Sequence, residues 1–152
     1  NYVAGIRLGA SSTTGDITGD ITFDKHFPFS AVSRATAENT LRDFIGDTEQ
    51  KVPSYAAAKF KGTPMYRLAR KGITVEKKKI VRIAHIELLY CRMPLLAIRV
   101  LCSGGVYVRQ LAQDIGNRLG GSGFLFSLER EAVGDLTLKD CNSVEDFRNI
   151  QV

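Results

Sequence analysis

Residues 80–121 decide the fold, and they read IVRIAHIELLYCRMPLLAIRVLCSGGVYVRQLAQDIGNRLGG. Two β-branched, apolar runs, Ile80–Tyr90 and Leu95–Cys102, are separated by a short Arg-Met-Pro connection, which predicts an antiparallel hairpin of two central strands. Beyond a Gly-Gly pair, apolar residues recur at helical spacing until a second Gly-Gly pair supplies a stop, and this pattern predicts a helix. The apolar face of that helix consists of Val108, Leu111, Ala112, Ile115 and Leu119.

The residues before this stretch add a strand, a polar loop and another helix. Tyr2–Leu8 predicts a strand that feeds a loop rich in Ser, Thr, Gly and Asp, and Ile21–Phe23 resumes the strand. A helix capped by Thr36 is predicted next, because Glu38 suits its positive end and Gly46 ends it. The apolar face predicted for this helix consists of Ala37, Leu41, Phe44 and Ile45.

The residues after it predict two more strands, at residues 124–128 and 133–138, and a last helix that Ser143 caps and that runs into the chain end. Because strands and helices alternate irregularly with antiparallel connections, the predicted class is α+β, with a mixed, largely antiparallel sheet and flanking helices. A length of 152 residues with 44% hydrophobic content is typical of one globular domain, 1–152, with a core of its own.

The net charge and the cysteine and histidine content indicate which partners and metal sites to expect. With 21 Lys and Arg against 16 Asp and Glu, the net charge of +5 favours polyanionic partners. The 3 cysteines are widely spaced without a CxxC pair and only 2 histidines are present, so neither a disulfide framework nor a metal site is predicted. No apolar stretch approaches the length of a membrane span and no signal peptide is apparent, so a soluble, cytoplasmic protein is expected. Because Asn1 already opens the first predicted strand, we expect the chain to be a fragment.

Residues 50–75 differ in character from their surroundings. Pro53, Gly62, Pro64 and Gly72 interrupt a run of basic and aromatic residues, which predicts a basic insertion that stands apart from the core. The cations of this insertion are Lys59, Lys61, Arg67, Arg70 and Lys71. The neighbouring run of three lysines at residues 77–79 is interpreted as a solvated approach to the next strand.

Three separated segments carry motif residues. In residues 2–19, a tyrosine opens a strand that ends in Leu-Gly. The motif positions of the loop after this strand are Ser12, Thr14, Asp16 and Gly19. Residues 53–72 read PSYAAAKFKGTPMYRLARKG, and residues 102–120 read CSGGVYVRQLAQDIGNRLG, followed by Leu128 and Arg130. In this order and approximate spacing, the three segments resemble the TruB family of bacterial tRNA pseudouridine synthases across nearly the whole chain.

Four positions depart from the pattern of that family, and one motif is absent. Ser12 replaces a threonine, and Glu129 occupies a place that is usually arginine. In the family's Cys-Ser-Lys-Gly-Thr-Tyr-Ile-Arg block, Gly104 stands for the lysine and Val106 for the threonine, which predicts weaker or rearranged RNA contacts near this rim. The family's nucleophilic aspartate lies in a Gly-Thr-Leu-Asp-Pro motif that does not occur in the 152 residues, so the chain is expected to be inactive alone. The family's C-terminal RNA-binding extension is also expected to be missing.

The resemblance implies an enzyme that isomerises the T-loop uridine of tRNA to pseudouridine without a cofactor. It assigns catalytic roles to Tyr2, which would stack on the uracil, and to Arg109, which would hold the missing aspartate together with Asp16. It places Tyr107 and Leu128 in the walls of the pocket. The residues that it implies in gripping the T stem-loop of tRNA are Tyr55, Lys59, Tyr66, Arg67, Arg70 and Lys71. It implies no membrane and no obligatory protein partner.

On residue patterns alone, other interpretations stay open. Arg109 also fits a surface arginine near Asp114, Tyr2 a packing residue at a strand start, and Asp16 a turn residue in a hairpin connection. For the function, the alternatives are a non-catalytic RNA-binding or tRNA-folding module, and a relative that acts on another RNA within a larger particle. The aspartate motif distinguishes the first alternative from the enzyme, and the lack of partner-specific segments disfavours the second.

Overall fold

The computed structural model describes residues 1–143, and its main element is a five-stranded sheet. The strands are β1 (Tyr2–Leu8), β2 (Ala10–Ser12), β3 (Ile21–Phe23), β4 (Gly46–Lys51), β5 (Lys59–Phe60), β6 (Thr63–Pro64), β7 (Lys78–Arg92), β8 (Leu95–Cys102), β9 (Gly123–Arg130), β10 (Ala132–Val133) and β11 (Leu136–Thr137). The helices are α1 (Arg34–Arg42), α2 (Met65–Arg70) and α3 (Val108–Arg118), and 3-10 turns lie at Phe29–Ala31 and Leu138–Asp140. None of the helices in this described part is long and apolar enough to cross a membrane.

The large sheet has the strand order β4-β7-β8-β1-β9, and each neighbouring pair is antiparallel. β7 and β8 form the predicted central hairpin, in which Glu87 lies opposite Arg99 and forms an ion pair with it at 3.0 Å. The predicted α+β class is therefore confirmed. Over residues 1–143, the parallel part of the predicted mixed sheet is an isolated bridge between Asp16 and Leu125.

The core lies between this sheet and the helices α1 and α3. β1 runs between β8 and β9, and the strand alternation buries Ala4, Ile6 and Leu8 completely, at 0% exposure. The predicted apolar face of α3 is confirmed, because Leu111 and Ile115 are buried in the same cluster. Burial of each such large side chain contributes about 1.5–3 kcal/mol, so this layer holds α3 against the sheet.

α3 approaches β9 most closely at two glycines. A Cβ atom on Gly116 would lie 2.4 Å from the backbone nitrogen of Gly123, which is closer than real Cβ atoms approach. The lack of a side chain on Gly116 therefore lets the helix rest directly on the strand. As predicted, α3 stops before a glycine pair, and Gly120 has the positive φ of +98° that favours glycine after a helix.

The start of α1 corrects the sequence prediction. The cap is Ser33, whose hydroxyl oxygen accepts a hydrogen bond from the backbone N–H of Thr36 at 3.1 Å. Thr36 is thus the partner of the cap and lies inside the helix, because a capping side chain reaches the N–H three residues ahead. Phe44 and Ile45 lie beyond the end of α1, and Ile45 is 45% exposed, so the predicted apolar face was too long.

The last part of the described chain also differs from the prediction. The strand predicted over residues 133–138 is instead the small hairpin of β10 and β11, followed by a 3-10 turn. Gly134 adopts a positive φ of +57°, which turns the chain back after Val133. The helix predicted to start at Ser143 falls on residues outside the described part.

Candidate active site

The loop between β2 and β3 meets the first turn of α3 through one ion pair. Nη1 of Arg109 lies 3.1 Å from a carboxylate oxygen of Asp16, and the side chains are 27% and 23% exposed. The contact that was expected between these two residues is therefore present. Arg109 is the second residue of α3, so the packing of the helix determines where its guanidinium lies.

The loop that contains Asp16 also holds its carboxylate, independently of Arg109. Oδ1 of Asp16 accepts hydrogen bonds from the hydroxyl of Thr14 at 2.8 Å and from the backbone N–H of Thr18 at 3.0 Å, while Oδ2 faces Arg109. The backbone N–H of Leu125 donates to the carbonyl of Gly15 at 3.0 Å, which ties the loop to β9. The carboxylate is thus held by its own loop and by the sheet edge.

These contacts keep Asp16 ionised. Partial burial by itself raises the pKa of Asp16. Hydrogen bonds from Thr18 and Thr14 and the charge of Arg109 lower the pKa by more than burial raises it, so the pKa lies below its ordinary value. At neutral pH the site therefore holds a carboxylate and a guanidinium, each oriented by the other.

Arg109 also connects two loops through backbone carbonyls. Its Nη1 donates to the carbonyl of Thr14 and its Nη2 to the carbonyl of Tyr55, both at 3.2 Å. Tyr55 was expected to contact RNA through its side chain, and that ring is 40% exposed. The use of its carbonyl by Arg109 was not predicted, because no sequence pattern marks a backbone acceptor that comes from another part of the chain.

A cleft of about 270 Å³ opens beside the ion pair. Its walls are Asp16, Ile17, Thr18, Arg109, Leu125, Phe126, Ser127 and Leu128. Leu128, which the resemblance assigned to a pocket wall, is 48% exposed and lines this cleft. The wall of the cleft next to the charged pair is mostly apolar.

Tyr2 lies near this cleft but does not line it. In the register of β1 and β9, Tyr2 is opposite Arg130 and Ala4 is opposite Leu128. Paired residues share a face of the sheet, and so do residues two apart in one strand. Tyr2 therefore lies on the same face as Leu128, which is opposite Ala4. The guanidinium of Arg130 lies 5.2 Å from the centre of the Tyr2 ring, within the range of a cation–π contact.

Tyr107 is held in a different place from the one expected. It does not line the cleft; instead it packs against a small apolar cluster formed by Val52, Ala56 and Met65 of the insertion. The ammonium of Lys79 lies 4.1 Å from the centre of its ring. Burial lowers the pKa of Lys79, and the charge of Lys77 lowers it further.

The backbone of Tyr107 is bound by a residue that sequence reasoning missed. Gln50 in β4 is 2% exposed; its Oε1 accepts from the N–H of Tyr107 at 2.8 Å, and its Nε2 donates to the carbonyl of Tyr107 at 3.1 Å. A glutamine in a strand of otherwise charged and polar residues carries no signal for such a role. Gln50 also shows that the first residues of the predicted insertion belong to the sheet.

The basic insertion folds around its own cluster and exposes its cations. In α2, the guanidinium groups of Arg67 and Arg70 lie 6.0 and 5.6 Å from the centre of the Tyr66 ring. Lys59 in β5 and Lys71 at the end of α2 are exposed. Of the residues predicted to grip RNA, Tyr66, Arg67 and Arg70 therefore lie together on α2. Over residues 1–143, no group of three or more His, Cys, Asp or Glu side chains has a metal-binding arrangement.

Comparisons with known proteins identify the relatives of this chain. The model of one family, TruB family pseudouridylate synthase (N terminal domain), matches residues 1–108. The tRNA pseudouridine synthase B of Phocaeicola vulgatus is 44% identical over 147 residues, which cover 96% of this chain and 62% of that protein. The protein of the same name from Francisella tularensis is 40% identical over 150 residues, which cover 98% of this chain and 49% of that protein. The chain thus spans about half to three fifths of the length of these relatives.

Solved structures show the same fold at lower identity. A chain in the crystal structure of a Cbf5–Nop10–Gar1 complex matches with a TM-score of 0.61 and 21% identity, covering 90% of this chain and 31% of that chain. A chain in the structure of an H/ACA RNP bound to a substrate RNA containing 2′-deoxyuridine matches with a TM-score of 0.57 and 18% identity, covering 90% and 29%. The architecture described here is therefore shared with these proteins.

Proposed function

Because the chain belongs to the TruB family of pseudouridylate synthases, we propose that it supplies the pocket arginine, the base platform and the RNA grip of an enzyme that isomerises the T-loop uridine of tRNA. The observation that carries the proposal is the ion pair of Arg109 and Asp16 in the wall of a cleft. The names of the curated relatives support tRNA as the substrate.

The reaction explains why the site needs an oriented cation. Pseudouridine formation breaks the bond from N1 of uracil to C1′ of ribose, turns the base and joins it through C5, without adding or losing atoms. A carboxylate that attacks or deprotonates the sugar in a pocket of low polarity stays charged only if a cation holds it. Arg109 is the proposed cation, and no redox cofactor is needed.

The geometry leaves Arg109 able to hold a second carboxylate. A guanidinium has five N–H donors, and the three hydrogen bonds described within residues 1–143 use Nη1 twice and Nη2 once. Two N–H groups on Nε and Nη2 point in a parallel fork, which matches the two oxygens of a carboxylate. Asp16 then orients the guanidinium, and the nucleophilic aspartate of the family motif is the proposed occupant of the other edge.

The uracil is proposed to lie against Leu128 and Tyr2. These residues share a face of the sheet, and the exposed Leu128 supplies an apolar wall next to the ion pair. Tyr2 adds an aromatic face and a phenol that relays the proton from C5. Tyr107 supports the site from behind, since it packs against the insertion.

The insertion is proposed to grip the T stem-loop. Arg67 and Arg70 both lie near the Tyr66 ring, so phosphates and a stacked base find their partners on α2, and the exposed Lys59 and Lys71 are proposed to add phosphate contacts. The target uridine is stacked inside the folded loop and must be flipped out to reach the cleft, which this grip supports.

The free thiols of the cysteines fit a reducing compartment, and the cytoplasm is the proposed location.

The proposed enzyme requires an aspartate that the 152 residues do not contain in a Gly-Thr-Leu-Asp-Pro motif. We therefore propose that this chain binds RNA but is inactive alone. A non-catalytic RNA-binding or tRNA-folding role is the second candidate, and the exposed cations of the insertion would serve it equally well.

Tritium release from T-loop RNA labelled at C5 of uridine tests the proposal. A full-length chain that combines these residues with the aspartate motif is expected to release tritium, whereas the same chain with that aspartate changed to asparagine, and the 152-residue chain, are not. Fluorescence anisotropy with the same RNA is expected to show binding by all three. If the full-length chain binds RNA without releasing tritium, the enzyme is excluded and the binding module is favoured. If the 152-residue chain releases tritium, the proposed need for the aspartate is wrong.

A further inference from the structure

We propose that Gln50 is a positioning residue that fixes the start of α3 and thereby the guanidinium of Arg109. Its effect on catalysis rests on the proposed function, whereas its effect on the Arg109 geometry does not. Gln50 touches neither the cleft nor Asp16, so it acts through the backbone of Tyr107.

The two hydrogen bonds of Gln50 resemble a peptide group in a β-ladder. One side-chain amide satisfies both the N–H and the carbonyl of the same residue, at 2.8 and 3.1 Å. Because Gln50 is 2% exposed, water cannot replace either bond without opening the structure. The amide therefore determines both the position and the orientation of this peptide.

The start of α3 needs such support from outside. The loop before it contains Gly104 and Gly105, the latter with a φ of +86°, and glycine restrains a backbone least. The N-cap residue is Tyr107, and no side chain caps the helix, because the aromatic ring offers no local acceptor. Whereas Ser33 caps α1 locally, the start of α3 is held by an amide from β4.

Arg109 transmits any displacement of Tyr107 to the site. It lies in the same first turn, and its side chain has to reach Asp16, Thr14 and Tyr55 at once. The carbonyl of Tyr107 also accepts the N–H of Leu111 at 3.0 Å, so a shift of this peptide tilts the turn that carries Arg109. Lys79 restrains the ring of Tyr107 and donates to the carbonyl of Gly105, but it does not touch the amide that Gln50 holds.

Two substitutions separate this role from simple packing. Gln50→Met keeps nearly the same length and removes both hydrogen bonds. Gln50→Glu, measured at a pH high enough to ionise its buried carboxyl, keeps an acceptor for the N–H but turns an anionic oxygen toward the carbonyl of Tyr107. The matched control is Glu49→Gln, the next residue of β4, whose exposed side chain pairs with Lys78. Circular dichroism first shows which variants are folded.

The first readout is independent of activity. In the 152-residue chain labelled with nitrogen-15, the Nη–H signals of Arg109, whose groups donate to Thr14, Asp16 and Tyr55, are expected to exchange about tenfold faster with solvent in both Gln50 variants and at the original rate in Glu49→Gln. Unchanged Arg109 exchange in a folded Gln50→Met or Gln50→Glu variant overturns the proposal. If Gln50→Met does not fold, the result for Gln50→Glu decides.

The second readout is the rate of pseudouridine formation by the full-length enzyme. Because a misplacement of about 1 Å at a reacting group costs about 10²-fold in rate, kcat is expected to fall by about that factor in Gln50→Met, with KM for RNA changed less than the rate. An equal loss in Glu49→Gln, or a loss confined to KM, contradicts positioning. If the wild-type enzyme shows no pseudouridine formation, the proposed function fails, while the exchange experiment still tests the effect of Gln50 on Arg109.

Discussion

The guanidinium of Arg109 and the carboxylate of Asp16 lie 3.1 Å apart, although 93 residues separate them along the chain. The pair brings together a polar loop that is fixed to the edge of β9 and a helix that is packed on β1 and β9. Each partner is thus positioned by a different part of the fold.

Replacement of Arg109 by lysine is expected to lower the rate of pseudouridine formation by the full-length enzyme about 10²–10³-fold. A lysine ammonium keeps the charge but cannot bridge Asp16 and two carbonyls at once, because it lacks the planar fork. Single-turnover kinetics on T-loop RNA measure the effect. Arg118→Lys on the same helix is the control, since Arg118 forms an exposed pair with Asp43 and is expected to retain the wild-type rate.

Replacement of Asp16 by asparagine is expected to destabilise the chain in a pH-dependent manner. The pKa of Asp16 lies below its ordinary value in the folded state, so the ionised group contributes stability above the unfolded pKa of about 4, and this contribution is lost as the pH falls through the lower folded pKa. The difference in Tm between wild type and Asp16→Asn should therefore be largest near neutral pH and shrink in acid. Asp20→Asn, an exposed change in the same loop, provides the comparison. A difference that is constant with pH would contradict the ionic role.

Replacement of Asp114 by asparagine is expected to change the thermal stability in the opposite direction. Burial raises the pKa of Asp114, and the hydrogen bond from Gln110 and the charge of Arg118 offset only part of this effect. Ionisation of Asp114 therefore costs stability above its raised folded pKa. Asp114→Asn should raise the Tm at neutral pH, and the gain should vanish below the unfolded pKa of about 4. Thermal unfolding at several pH values tests this, with the exposed Asp43→Asn as control.

Much of the fold follows from periodicity in the sequence. The β7–β8 hairpin was predicted from two β-branched, apolar runs on either side of a short connection, and α3 from apolar residues that recur with a period of 3.6. The start of α1 was not, because Ser33 and Thr36 are both capping residue types and only the backbone shows which one accepts the hydrogen bond. The region of residues 133–138 was too short for a period to distinguish one strand from a hairpin.

The site was less accessible to prediction than the fold. The pairing of Arg109 with Asp16 was expected from the family resemblance, since spacing alone also fitted a surface arginine and a turn aspartate. The positions of Gln50 and Tyr107 and the carbonyl of Tyr55 had no sequence signal, because bonds from side chains to distant backbone groups arise only after the elements have packed.

Replacement of Gly116 by alanine tests the close contact of α3 with β9. Helix propensity alone predicts a gain of about 1 kcal/mol for this change. The new Cβ would, however, meet the backbone nitrogen of Gly123 at 2.4 Å, so we expect a net loss of about 1–3 kcal/mol, which is the range for overpacking. Urea unfolding measures it. Asn117→Ala, an exposed change in the next residue, should not lower the stability, and a stabilised Gly116→Ala variant would refute the contact.

Replacement of Arg67 and Arg70 by glutamine is expected to weaken binding of T-loop RNA and to reduce its salt dependence. Each lost phosphate contact should lower the slope of log affinity against log salt by about 1. Anisotropy titrations at several salt concentrations measure this slope. Lys139→Gln removes an exposed charge far along the chain, in the 3-10 turn after β11, and should leave the slope unchanged. Equal effects of these changes would mean that net charge rather than the insertion governs binding.

The hydrogen bond from Arg109 to the carbonyl of Tyr55 has one more consequence. Any ligand that shifts the insertion at Tyr55 alters the free energy of the Arg109 guanidinium, and linkage requires that whatever occupies the guanidinium alters the affinity of the insertion by the same factor. If the insertion binds RNA as proposed, RNA binding and the orientation of Arg109 are coupled in one equilibrium. An RNA that binds the insertion in the wrong position would then leave the Arg109 guanidinium misoriented and react more slowly. Arg109 alone would thus contribute to the discrimination between substrates.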